Sequence, residues 1–191
     1  MITLPTRQRS SLYLPHRNHH GFTLIELVIL LAILSIVFHL AAPTFQNIGA
    51  NSRMTAHINN MVTSFNYARS EAIKRNHNLV ICPNDNGSCA REPHWHNGWL
   101  IFIDDNFNRE IELGEEIIYV EAAKKNVEIT SSRYRRRVVF RSTGYSYGSN
   151  ASFIFCDQRG SSKARAIVLS NTGRARVADK KLNNKDWKCQ G

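Results

Sequence analysis

The sequence predicts an α+β fold, in which a long N-terminal helix carries antiparallel β-sheets packed against it. Three observations predict it: an apolar run from Phe22 to Ala42, a helical-period apolar stripe from Met54 to Ala72, and a change after Asn76 to short apolar runs separated by Gly, Asn and Asp. With residues 1–21 set apart as a leader and 22–42 as a membrane span, about 150 residues remain, the size of one globular domain with a modest core.

Residues 1–21 are polar and basic, with Arg7, Arg9 and Arg17 beside His16, His19 and His20. The 21 residues Phe22–Ala42 that follow are long enough for a helix across a hydrocarbon core of about 30 Å. The basic flank keeps the N-terminus cytoplasmic and exports the rest. A secretory signal peptide would be cut after the apolar run; Ala41-Ala42 mimics such a site, although Pro43 hinders it. Cleavage before the run, after Gly21, is the other reading, and Glu26 separates the two. A carboxylate inside an apolar helix costs about 2.5–3.5 kcal/mol on the gentler insertion scale. A mere anchor gains nothing from it, whereas a subunit bundled with sister helices can pair Glu26 with a neighbour's new amino terminus at Phe22. His39, in the same run, has no such account.

The stretch Gly21-Phe22-Thr23-Leu24-Ile25-Glu26 closely resembles the prepilin cleavage motif of type IV pilins and type II secretion pseudopilins. Pro43 also stands where helices of that family are often kinked. The resemblance implies cleavage after Gly21 by a membrane prepilin peptidase, N-methylation of Phe22, and a single pass of the inner membrane with the C-terminal domain in the periplasm. It further implies assembly with other major and minor pilins into a pilus or pseudopilus, with Glu26 as the assembly residue. A 21-residue leader is long for that family.

Residues 43–76 continue the helix in amphipathic form. Met54, Ile58, Met61, Phe65, Ala68 and Ala72 make one apolar stripe, while Arg53, Asn59, Asn60, Asn66, Arg69 and Lys74 face elsewhere. Such a stripe is core packing and docks the helix onto the domain. A single helix over 22–76 would reach about 80 Å at 1.5 Å per residue, bent near Pro43.

Residues 77–191 read as a β-rich domain with a basic tail. Strands are expected at Leu79–Cys82, Trp99–Ile103, Glu116–Val120, Val127–Thr130, Val138–Phe140, Phe153–Cys156, Ala166–Leu169 and Arg174–Val177, with turn residues between them. Close spacing of short strands points to antiparallel sheets on the helix. Gly98–Asp104, Gly114–Val120, Val138–Gly144, Phe153–Cys156 and Ile167–Val177 resemble the FimT/GspH branch of minor pilins, whose fold implies two small β-sheets against the helix.

An even count of four cysteines in a small exported domain favours disulfides. Cys82–Cys89 as a local loop and Cys156–Cys189 as a clamp on the tail is the expected pairing, one of three that four cysteines allow. The rival is a zinc site from Cys82, Cys89, His94 and His96, a spacing unusual for zinc; no metal or cofactor is expected.

The formal charge of +10 is unevenly placed. Residues 82–130 hold 4 basic against 10 acidic side chains, and residues 131–191 hold 14 against 3. This asymmetry points to a polyanionic partner, nucleic acid or anionic lipid. Arg174 and Arg176, two apart on a strand, share a face and suit forked phosphate contacts. Lys180, Lys181, Lys185 and Lys188 extend the positive track, and Trp187 either stacks on a base or folds into the core. Gly173-Arg174-Ala175-Arg176 matches the Gly-Arg-x-Arg motif of DNA-binding FimT proteins. The resemblance implies a minor pilin that binds double-stranded DNA non-specifically in natural transformation. The competing reading is a structural GspH-like pseudopilin of a type II secretion system, its basic face solvated or set against an acidic neighbour. Arg133-Tyr134-Arg135-Arg136-Arg137 with Arg141 either widens the nucleic-acid footprint, meets lipid headgroups, or guards an edge strand by charge.

An enzyme is not expected. Gly144-Tyr145-Ser146-Tyr147-Gly148 fits a nucleophile-elbow spacing, but a turn and strand follow where a helix is needed, and no histidine occurs after His96. Asp104-Asp105 and Glu115-Glu116 read as solvated turn and strand-edge charges, with calcium binding as the minor option. No phosphate-binding loop or dinucleotide fingerprint is present.

Overall fold

The computed structural model describes residues 21–132, 135–181 and 184–189, with the side chains of 40–44 left aside. Most of the expected leader, together with Arg133 and Tyr134, lies outside the described residues. Helix α1 runs Leu24–Arg75, and its assignment continues through Pro43. The chain divides into two compact units, one up to Phe45 and one from Gln46.

In the first unit the Thr23 hydroxyl accepts a hydrogen bond from the Glu26 N–H at 3.3 Å, capping the helix start. Leu24–His39 is exposed on every side, and its large apolar side chains show no buried face. A helix apolar all round needs lipid or other helices to cover it. Among the described residues no helix is long and apolar enough to cross a membrane; the side chains of 40–44, the far end of the expected span, are outside them.

In the second unit the helical stripe is the core. Met54, Ile58, Met61, Phe65, Ala68 and Ala72 are all buried. The helix stops where Asn76 adopts φ +56°, so that the His77 N–H reaches the Ala72 carbonyl and the Asn76 N–H reaches that of Ile73. These two bonds satisfy carbonyls that a helix end leaves orphaned. Glu71 receives hydrogen bonds from Lys74 and Arg75, and Arg75 also reaches Glu116, tying the helix end to the sheet.

Two antiparallel sheets flank the stripe. The first contains β1 (Leu79–Asp85), β2 (Ser88–Cys89), β3 (Trp99–Ile103), β4 (Ile117–Glu121) and β6 (Val138–Phe140), with β1 paired to β2, β3 and β6, and β4 beyond β3. The second contains β5 (Glu128–Ser131), β7 (Ala151–Cys156), β8 (Arg165–Leu169) and β9 (Ala175–Ala178), in the order β5-β7-β8-β9. Alternate residues of each sheet face the helix: Leu79, Ile81, Trp99 and Ile101 from one, Ile129, Phe153, Phe155 and Ile167 from the other. Phe153 sits at the middle, 4.9 Å from the Phe65 ring and 5.0 Å from that of Trp95.

β1 and β3 are buried on both faces because their outer side chains, Val80, Cys82, Leu100 and Phe102, are covered by Ile111 and Cys89. The structure joins Cys82 to Cys89 and Cys156 to Cys189. No zinc centre forms: those cysteines are bonded to each other, and no metal-holding group of three His, Cys, Asp or Glu occurs among the described residues. Of the expected strands, β3 and β6 keep their bounds and the others shift by a few residues; β2, two residues long, is too short to carry a sequence pattern.

Candidate functional site

The two arginines of the basic end flank the start of β9, the edge strand of the second sheet. Their position is set by the turn before it. The Ser170 N–H donates to the Arg174 carbonyl at 3.0 Å, the Gly173 N–H donates to the Ser170 carbonyl at 2.9 Å, and the hydroxyls of Ser170 and Thr172 meet at 2.7 Å. Gly173 has φ +73°, a conformation natural to glycine. A Cβ there would stand 2.4 Å from the Gly144 carbonyl oxygen. Gly144 has φ +78°, and a Cβ on it would meet Ile73 of α1 at 2.7 Å. The Ser146 N–H closes the contact by donating to the Asn171 carbonyl at 2.9 Å. Two loops far apart in sequence are thus docked on each other and on the helix, and Arg174 projects from a fixed base.

Arg176 lies opposite Val168 in the register of β8 and β9, on the face of the sheet that also carries Ala166 and Ala178. Arg174 and Arg176 are exposed, and no carboxylate among the described residues pairs with either. Their basic neighbours differ. Arg165 bonds Asp179 at 2.8 Å and Arg159 bonds Asp157 at 2.6 Å.

The tail folds back over the same face. Trp187 is buried against Cys156, Ala164, Ala166 and Ala178, and its indole N–H donates to the Ala178 carbonyl at 3.0 Å. Of its two expected roles the structure gives it the packing one. Lys181 stands 5.5 Å above that indole ring, a cation–π contact. The Lys181 N–H donates to the Lys185 carbonyl, and the Cys189 N–H donates to the Ser161 hydroxyl. Arg174 and Arg176 stand at the start of β9, and Lys180 stands past its end, where the chain bends. Lys181, Lys185 and Lys188 follow on the returning segment.

A family model of the type II transport protein GspH matches residues 57–173, and one of the prokaryotic N-terminal methylation motif matches residues 16–42. The chain belongs to the GspH family. This GspH-family chain is a minor pilin or pseudopilin, a subunit of a type IV pilus or of type II secretion, and its families are of structural pilins rather than enzymes. A crystal structure of the type IV minor pilin FimU of Pseudomonas aeruginosa (strain PAO1) in space group P21 shares the fold, with a TM-score of 0.51 and 16% identity over 72% of this chain and 94% of that one. A second FimU crystal form, in space group P65, gives a TM-score of 0.48 at 15% identity over 71% and 95% of the two chains. No curated protein matches the sequence. The GspH match ends at Gly173, so the two arginines follow directly on it.

In the second arginine cluster of this pilin, Arg135, Arg136 and Arg137 are held internally. Arg137 binds Glu110 with contacts of 2.6 and 2.7 Å and also reaches the carbonyls of Ala90 and Arg109. Arg136 reaches the Arg91 carbonyl, and Arg135 that of Gly148. These guanidiniums join loops, a use that spacing alone does not reveal. Ser146, the centre of the Gly-x-Ser-x-Gly stretch, is fully buried, and its backbone serves the loop contact. The Arg159 guanidinium hydrogen-bonded to Asp157 holds that carboxyl below its usual range, and Arg75 does the same to Glu71.

Sequence reasoning missed the clasp of Gly173 on Gly144, and a pair of exposed tyrosines beside it. The Tyr145 and Tyr147 rings stack in parallel with centroids 5.0 Å apart. Two glycines, each next to a chemistry-bearing residue, were the available signal.

Proposed function

We propose that this GspH-family pilin binds double-stranded DNA non-specifically through Arg174 and Arg176, supported by Lys180, Lys181, Lys185 and Lys188, and serves DNA uptake in natural transformation. The observation that carries the proposal is the pair of exposed guanidiniums without carboxylate partners, two residues apart on a firmly docked turn, where the nearby Arg159 and Arg165 are bound to Asp157 and Asp179. Contacts of this kind read phosphate rather than base, so binding is weakly sequence-selective and steeply salt-dependent. The Trp187 anchor and the Cys156–Cys189 bond hold the lysine-bearing tail in place, which reduces the ordering entropy lost on binding.

The rest of the life cycle follows from the N-terminal motif. A prepilin peptidase cuts after Gly21, Phe22 is N-methylated, and the helix from Phe22 rests in the inner membrane with the domain in the periplasm before it joins other pilins. Glu26 then pairs with a neighbouring subunit's amino terminus. Its carboxylate has no partner within the described chain, which favours this role.

The test is duplex binding by the detergent-solubilised chain at two salt concentrations, with and without Arg174→Gln and Arg176→Gln. Each lost phosphate contact lowers the log–log salt slope by about 0.9, so the double variant loses about 1.8. A double variant that binds like the parent removes the assigned site. The second reading, a structural pseudopilin of type II secretion, is favoured by the description of the matching family and is the conclusion in that event.

A further inference from the structure

The loop between β3 and β4 and the segment after β6 enclose a cavity of about 410 Å³ lined by Asn78, Asp104, Arg109, Arg141, Thr143 and Tyr147 among others. Asp104 directly follows β3, where its N–H donates to the Asn78 carbonyl at 3.0 Å, and it is 1% exposed. One carboxylate oxygen accepts the Arg109 N–H at 3.4 Å; the other is buried with no partner. A buried acceptor left unmatched carries a desolvation penalty that only a donor removes. Arg109 and Arg141 bring two guanidiniums to the same cavity, and neither has a side-chain partner among the described residues. Tyr147 adds a half-exposed aromatic ring.

This combination is selective. Two guanidiniums repel a metal cation, and the carboxylate repels a ligand that is anionic throughout. The cavity suits a molecule with an anionic group at one end, a hydrogen-bond donor at the other and a flat body between. Its volume lies at the small end of ligand sites, about 300–1,000 Å³, the scale of a monomer rather than a polymer. It adjoins the DNA-binding turn, because Ser146, between the two tyrosines, donates to Asn171 at 2.9 Å.

We infer that this cavity holds one unpaired nucleotide of a DNA strand, with its phosphate on Arg141 and Arg109, its base on Tyr147, and the base's exocyclic amine donating to the free oxygen of Asp104. The inference rests on the DNA-binding reading and adds to it a capture point for strand ends or frayed positions. Unpaired bases are read in this manner, by stacking and by their exposed edges. Cytosine, adenine and guanine carry the amine and thymine does not, so the site prefers the first three.

The experiment titrates the detergent-solubilised chain with deoxycytidine monophosphate, thymidine monophosphate and glucuronate. The expected result is tighter binding of deoxycytidine monophosphate than of the other two. Tyr147→Ala weakens it about tenfold, the loss of one base stack, and Tyr147→Phe retains it. Asp104→Asn, checked for folding by near-ultraviolet circular dichroism, abolishes or reverses the preference over thymidine monophosphate, because an amide offers a donor where the carboxylate accepted. Glucuronate binding as tightly, an unchanged preference in Asp104→Asn, or wild-type affinity in Tyr147→Ala overturns the inference. The arginine double variant separates the two readings. If it leaves duplex binding intact while the mononucleotide still binds, the turn reading fails and the cavity stands; if it weakens duplex binding while no mononucleotide binds, the cavity reading fails alone.

Discussion

Gly173→Ala tests whether the clasp between the two loops is what places Arg174. Two terms add. An L-residue held in the left-handed region costs about 1–2 kcal/mol, and Gly173 sits at φ +73°. The new Cβ would also lie 2.4 Å from the Gly144 carbonyl oxygen, so one loop must retreat by about 1 Å to reach ordinary contact. Gly144 is itself lodged against Ile73, so retreat breaks the hydrogen bond from Ser146 to Asn171, worth about 0.5–1.5 kcal/mol. The total is about 1.5–3.5 kcal/mol, which for a unit of this size lowers the melting temperature by roughly 3–14 °C. Gly148→Ala is the control: it has φ +70° and nothing within 4 Å of the added Cβ, so it bears the backbone term alone. Thermal unfolding followed by circular dichroism gives the difference, and the duplex titration shows whether Gly173→Ala loses affinity as well. Equal destabilisation by the two substitutions would refute the steric argument, and with it the claim that the clasp orients the arginine.

Three further outcomes follow from the same geometry. Replacing Cys156 and Cys189 together by Ala opens a loop with a sequence separation of 33; the chain-entropy relation puts the loss at about 3.7 kcal/mol, read by denaturant unfolding, and DNA affinity falls with it as the lysines come loose. Acidification destabilises the domain through Asp157 and Glu71, whose carboxyls Arg159 and Arg75 hold below their usual range. Depressed folded values give stability that is full above the unfolded carboxylate range near about 4 and is lost as pH falls through those lower values; melting temperatures from pH 7 downward show the decline, and Asp157→Asn makes it shallower. Glu26→Ala leaves the chain in the membrane fraction and keeps it out of sheared filaments, measured by immunoblot of the two fractions; filaments that incorporate it normally would exclude the assembly role.

The helix was the most legible part of the sequence, because a 3.6-residue period on Met54, Ile58, Met61, Phe65, Ala68 and Ala72 admits one buried stripe. Asn76 marked its end because few residues other than glycine and asparagine accept the left-handed conformation that closes a helix. Strand positions followed from apolar runs between turn residues, and their bounds drifted because strand ends depend on a partner's length. The burial of β1 and β3 on both faces showed as unbroken apolar runs, Leu79–Cys82 and Trp99–Ile103.

Local order is written in the chain: where it is helical, where it extends, and where positive charge gathers. Tertiary structure alone decided what each charge and ring meets. It put Trp187 under the tail rather than on a ligand, bound Arg137 to Glu110 while leaving Arg174 and Arg176 open, buried one oxygen of Asp104, and brought Gly173 against Gly144. Period and propensity act between near neighbours in the chain, whereas these contacts join distant segments whose meeting depends on how both sheets settle on one helix.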